Sequence, residues 1–203
     1  MSTTTAESTF RNRLDRARKE MARTNVDALI LSLGHDLPYL TGYLAMPLER
    51  LTMLVVPRDG EASLIIPRLE APRVTEMSSV FSLATWNETD DPVALAHKLL
   101  GSARTIAVGD QMWSRFLVDL LKFRPDAQYV RSVVVMEALR SRKDATEIAA
   151  LTAAGAAADR VAAQLHAGEI PLVGRTEAQV SAEISARLIA EGHQVVNFAI
   201  VAA

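Results

Sequence analysis

The chain has 203 residues, of which 49% are hydrophobic and 23% charged, with a net charge of −2 and no cysteine. This length exceeds a typical single domain, so one domain plus part of another is the natural expectation, and the balance suits a core-forming protein rather than a disordered one. The small net charge gives no electrostatic reason to expect nucleic acid or an anionic membrane as partner, and the absence of cysteine excludes disulfides, thiolate catalysis and Cys-ligated zinc.

The opening residues, Met1-Ser-Thr-Thr-Thr-Ala-Glu7, contain neither the cationic nor the apolar segment of a secretory signal. No apolar run approaches the ~20 residues that span a bilayer. A soluble, cytoplasmic protein is therefore expected, in keeping with the lack of cysteine.

Phe10, Leu14, Ala17 and Met21 recur at helical spacing and predict an amphipathic first helix. Its basic residues are interleaved with Asp15 and Glu20, which suits a solvated face better than a phosphate site. Strands are expected at 27–33, 51–57, 62–67, 81–86, 104–109 and 127–131, each rich in aliphatic or aromatic residues and bounded by turn residues. Asp59-Gly60 supplies the positive φ that a tight hairpin between the second and third of these needs. Helical patterns fall at 70–78, 92–100 and 113–123. Asp91-Pro92 starts the middle one: the carboxylate caps free amides, and proline at the first helical position sacrifices no hydrogen bond. This alternation predicts an α/β layer fold, and the hairpin makes its sheet mixed.

Composition changes after Arg131. Residues 132–143 read as a linker ending in the polar Arg140-Ser-Arg-Lys143, so the expected domains are 1–131 and 144–203. Asp144 with Glu147, and Thr176 with Gln179, stand at capping-box spacing before two helices. In the first, Ile148, Leu151, Gly155, Ala158, Ala162 and Leu165 form a stripe of mostly small residues, as expected for a helix packed closely on a sheet. The run Val195-Val-Asn-Phe-Ala-Ile-Val-Ala-Ala203 reads as a strand.

No Gly-x-Ser-x-Gly, P-loop or Gly-x-Gly-x-x-Gly occurs, so acyl-serine, NTPase and dinucleotide readings lack support. The histidines, His35, His97, His166 and His193, are scattered without metal-ligand spacing. Asp90-Asp91 is better explained by capping than by metal binding.

Several words in order resemble one family. They are Val26-Asp-Ala-Leu-Ile-Leu31, Tyr39-Leu-Thr-Gly-Tyr43, Glu49-Arg50, Leu51-Thr-Met-Leu-Val-Val-Pro57, Leu64-Ile-Ile-Pro67 and Leu69-Glu70. Downstream stand Lys143-Asp-Ala-Thr-Glu147, Gly174-Arg-Thr-Glu177 and the terminal Ile-Val-Ala. Together these resemble the creatinase/aminopeptidase P/prolidase family, the pita-bread metallopeptidases. The resemblance implies a mixed-sheet, creatinase-like N-terminal α/β domain, followed by the first helices and strand of an incomplete pita-bread α+β domain. It implies a Xaa-Pro aminopeptidase or Xaa-Pro dipeptidase: two divalent cations (manganese, cobalt or zinc) share a hydroxide that attacks the carbonyl before proline. In the family the catalytic histidine and metal ligands follow the Ile-Val-Ala strand, so no catalytic residue and no metal are expected in this chain. A proline-containing peptide substrate and a homodimer are expected of the complete protein. Two other readings stay open, a non-catalytic binding or dimerisation module and a creatinase-like amidinohydrolase.

The resemblance also marks substrate-mouth candidates. The loop Leu33-Gly-His-Asp-Leu-Pro38 tends in that family to face an active-site mouth, often a partner subunit's, which singles out His35. Local turn chemistry is the simpler account of that residue. Tyr39 is the second candidate, with ring burial in the core as its simpler role. Arg50 is the third, as a substrate-carboxylate ligand or, more simply, the partner of Glu49 in an ion pair.

Overall fold

The computed structural model describes the backbone of residues 3–202 and the side chains of residues 7–202. It divides into two compact units, one ending at Arg142 and one beginning at Lys143.

In the first unit all six expected strands lie in one sheet: β1 (Ala28–Leu31), β2 (Met53–Pro57), β3 (Ala62–Pro67), β4 (Phe81–Trp86), β5 (Thr105–Val108) and β6 (Gln128–Arg131). Their order is β4-β3-β2-β1-β5-β6. Strand β2 runs antiparallel to both neighbours, and every other adjacent pair is parallel. The sheet is therefore mixed, with one reversed strand.

Alternation along the strands sends side chains into two cores. Leu29, Leu31, Leu54, Val56, Leu64 and Ile66 join one core, with Leu14, Ala17 and Met21 of α1 (Thr3–Arg23) and Leu37 and Leu40 of α2 (Asp36–Thr41). Ile30, Met53, Val55, Ile65 and Ile106 join the other, with Val93 and Ala96 of α3 (Pro92–Leu99) and Phe116 and Leu120 of α4 (Ser114–Phe123). Both faces are covered, which is why these strands read as near-continuous apolar runs. Each fully buried Leu, Ile or Met contributes about 1.5–3 kcal/mol relative to exposure.

Two local expectations change, and one short helix was not anticipated. Residues 70–78 do not form a helix: a short 3-10 turn, Ala71–Arg73, ends where Val74 becomes extended at φ −90°, ψ 128°. Val74, Met77 and Val80 are nevertheless buried, so their three-residue spacing reports burial of a connecting segment and not helix. Residues 132–143 are no plain linker. They hold helix α5 (Val133–Arg140), whose Val135, Met136 and Leu139 are buried in the first core. Helix α2, six residues long, was too short to show a period.

The second unit contains α6 (Ala145–His166) and α7 (Glu177–Ala190). Both expected capping boxes are formed, by Asp144 with Glu147 and by Thr176 with Gln179. Its core is small: Val161, Ile170 and Val180, joined by the partly buried Leu165, Ile184, Leu188 and Val201. Ile148 and Leu151 remain 54% and 59% exposed. The run from Val195 makes no strand among the described residues. A ladder needs a neighbouring strand, and this unit supplies none among the described residues. Ser181 Oγ donates to the Ala199 carbonyl at 2.8 Å, tying that run to α7.

Candidate functional site

Because β2 alone is reversed, its amino end lies on the same rim of the sheet as the carboxyl ends of the other five strands. Ligands of α/β sheets bind outside the carboxyl ends of strands, where adjacent connections diverge. Here β1 is followed across the sheet by β2 on one side and pairs with β5 on the other. The register Leu31↔Leu54 puts His35, four residues past Leu31, and Arg50, four before Leu54, on this one rim.

His35 occupies the N-cap position of α2, and its side chain makes no capping hydrogen bond. It is exposed, with its imidazole free of hydrogen bonds among the described residues, so local turn chemistry does not use it. The preceding Gly34 has φ +94°, and a Cβ there would lie 2.6 Å from the Gln111 amide oxygen. Glycine thus lets the β1 and β5 loops approach each other. Asp36 accepts from Arg140 Nη1 at 2.6 Å and from Ser132 Oγ at 3.4 Å. The loop carrying His35 is thereby tied to helix α5.

Tyr39 strengthens the same tie. Its ring is buried under the Arg13 guanidinium, 4.2 Å from the ring centroid, and its hydroxyl donates to the Leu139 carbonyl at 3.1 Å. Arg50 donates to Glu88 at 2.6 Å and to Glu49 at 3.0 Å. The Glu88 carboxylate, chiefly, holds the guanidinium pKa above its ordinary value. Both carboxylates are well exposed, so the pair is solvent-screened. The structure therefore brings His35 and Arg50 to one rim, leaves His35 unengaged, and gives Tyr39 and Arg50 partners within the fold.

Further charge pairs on this rim carried no local signal in the sequence. Arg131 grips Asp110 through two hydrogen bonds of 3.0 and 2.6 Å, and this keeps the Asp110 carboxyl below its ordinary range. Asp36 and Arg140 are 104 positions apart. Only the topology brings such residues together.

No group of three His, Cys, Asp or Glu side chains that could hold a metal occurs among the described residues. His97 stacks on Phe123 with ring centroids 5.3 Å apart. Asp91 caps α3 by accepting from the amides of Val93 and Ala94 at 2.9 and 3.0 Å. Asp90 accepts from the backbone and side chain of Asn87. The donor set of a dinuclear centre is thus not assembled among these described residues.

A sheet of this order with helices on both faces, and a loop rim set by one reversed strand, has a known counterpart. The chain belongs to the creatinase/prolidase N-terminal domain family, whose profile matches residues 13–142. It is 38% identical over 199 residues to the probable dipeptidase PepE of Mycobacterium tuberculosis, covering 95% of this chain and 52% of the relative. The crystal structure of dipeptidase PepE from Mycobacterium ulcerans superposes with a TM-score of 0.83 at 35% identity, covering 93% of this chain and 51% of that one. The creatinase/prolidase N-terminal domain of an X-Pro dipeptidase from Streptococcus pyogenes, at 22% identity and TM-score 0.55, shares the fold over 63% of this chain and 98% of its own. The chain spans about half the length of the curated relatives it matches.

Proposed function

We propose that this chain is the N-terminal domain and the opening of the catalytic domain of a metal-dependent dipeptidase acting on Xaa-Pro peptides. The observation carrying this reading is the 38% identity that runs through 95% of the chain, past the family domain and across α6 and α7, to a probable dipeptidase. In this reading two divalent cations, with manganese the first choice, supply the activated hydroxide. Their ligands belong to the part of the relatives that this chain does not span. The protein is a cytoplasmic homodimer. The lack of cysteine fits that compartment, and no helix among the described residues is long and apolar enough to cross a membrane.

His35 contributes to the mouth of the substrate site. Its free imidazole, on a loop fixed by the Asp36–Arg140 pair, supports that role. A positioned side chain that meets substrate without touching the reacting atoms lowers KM more than it raises kcat. Tyr39 acts behind it as part of the loop's anchorage. Arg50 stands on the same rim, its charge shared between Glu49 and Glu88.

The test is hydrolysis of Ala-Pro, Gly-Pro and Ala-Ala by the protein as its gene encodes it, before and after chelation and manganese return. Proline-selective turnover, lost on chelation and restored by manganese, is the expected result. Metal-independent turnover, or indifference to proline, overturns the reading. The 203-residue chain alone is expected to leave all three peptides intact.

A further inference from the structure

His35 stands between two clamped neighbours. On one side Gly34, at φ +94°, lies against Gln111 of the β5–α4 connection, whose amide oxygen would be 2.6 Å from a Cβ at position 34. On the other side Asp36 accepts from Arg140 Nη1 at 2.6 Å and from Ser132 Oγ at 3.4 Å. Ser132 is the N-cap of α5 and Arg140 its last residue, so one carboxylate reaches both ends of that helix. On the reading that His35 meets substrate, we propose that Asp36 is a positioning residue for the substrate mouth. Paired with Arg140, it fixes where the His35 imidazole stands and so sets how tightly a peptide is held.

Helix α2 cannot hold this geometry alone. It has six residues, well under the ~12–15 at which an isolated helix becomes even marginally stable in water. Leu37 and Leu40 press it onto the first core. Apolar burial is non-directional, however, and orientation comes from the hydrogen bonds. Two consecutive residues at the end of α5 supply them: the Leu139 carbonyl accepts from the Tyr39 hydroxyl at 3.1 Å, and Arg140 donates to Asp36. Tyr39 lies a full turn beyond His35, whereas Asp36 adjoins it. Asp36 is therefore the tie with the shortest lever onto the imidazole.

His35 itself commits only its backbone. Its carbonyl accepts from the Tyr39 amide at 3.3 Å, and its φ of −85° and ψ of −13° continue the helical conformation. A backbone held in this way fixes the direction of the Cα–Cβ bond. The imidazole projects from it without a hydrogen bond among the described residues.

The Asp36 side chain is only 20% exposed, and Ser132 is buried. A carboxylate–guanidinium contact of this length is charge-assisted and demanding in direction. Replacing the carboxylate by an amide keeps the shape and weakens the tie. A tie that only pinned α2 to α5 would, on weakening, lower stability and leave substrate binding alone. A tie that aims His35 would change substrate binding only while His35 is present.

The experiment is a double-mutant cycle on the protein as its gene encodes it, with Ala-Pro as substrate. The variants are Asp36→Asn, His35→Ala and the two together, with Arg140→Gln as an independent break of the same tie at an exposed side chain. Asp36→Asn and Arg140→Gln are each expected to raise KM roughly threefold with kcat little changed. In the His35→Ala background either should add less than about 1.5-fold, because a residue acting through His35 then has nothing to place. Urea melts of the same variants read any loss of stability separately. An unchanged KM in both Asp36→Asn and Arg140→Gln overturns the proposal, and so do KM effects that multiply in full across the cycle. Either result leaves the effect of His35→Ala, and the mouth reading, standing. An unchanged KM in His35→Ala, or no turnover of Ala-Pro at all, removes the mouth reading and the role of Asp36 together.

Discussion

Asp27 shows how much one carboxylate can hold. It accepts from the backbone amides of Arg104 and Thr105, both at 2.9 Å, and pairs with Arg58 at 3.2 Å. The two amide bonds, more than the arginine, hold its pKa below the ordinary 3.8. A depressed folded-state pKa stabilises the protein above the unfolded value, and this contribution disappears as pH falls through the folded value. Asp27→Asn is therefore expected to cost about 1–3 kcal/mol at neutral pH. Urea melts should show the deficit shrinking below pH 3.8. A deficit that does not change with pH would show that the charge plays no part. At the opposite rim, His35→Ala in the complete protein is expected to raise KM for Ala-Pro by roughly three- to tenfold with kcat little changed. Steady-state kinetics measure this directly, and a fall in kcat alone would remove His35 from the mouth.

Among the elements, α3 and the α2–α5 tie can be compared through single side chains. Asp91 satisfies two of the free amides that begin α3, with Pro92 at the first helical position. Asp91→Ala is expected to cost about 1 kcal/mol in a thermal or chemical melt. Tyr39→Phe removes the hydrogen bond to the Leu139 carbonyl, but that oxygen also accepts from Arg16 Nη2 at 3.4 Å. The oxygen is not orphaned, so the loss should stay near 1 kcal/mol, also read from a melt. The sequence announced α3 through Asp91-Pro92 and the two capping boxes through their spacing, because capping is local. The central strands β1, β2 and β3 were equally legible, since burial on both faces leaves near-continuous apolar runs. Helix α5 was not, because its polar end, Arg140-Ser-Arg-Lys143, suggested a linker while its burial came from the distant α1 and α2. Of the candidate site, the sequence singled out His35, Tyr39 and Arg50 by their place in short motifs. The Asp36–Arg140 and Asp110–Arg131 pairs depend on contacts that no short window of sequence contains.

At the scale of the molecule, the two units differ in how completely they bury their apolar residues. The first has a core on each face of its sheet, whereas the second relies on Val161, Ile170, Val180 and a few half-buried neighbours. Residues 1–142 expressed alone are expected to melt cooperatively, as a unit with its own core should. Hydrogen exchange on the 203-residue chain should find the amides of 195–202 unprotected and those of α6 less protected than β1 and β5. Strong protection throughout 143–202 in a monomer would show that this unit completes its own fold.

The lone reversed strand has an evolutionary consequence. With β2 inverted, six strand ends share one rim, while Asp27, Arg58 and the turns that stitch the sheet occupy the other. Variation at the two ends of the sheet is then under separate selection. A mutational scan scored for both folding and turnover should divide accordingly, with lesions at the Asp27 end lowering abundance and those at the His35 end lowering activity at normal abundance. A lineage could remodel substrate preference by lengthening or recharging the loops at one end without renegotiating the stability set at the other.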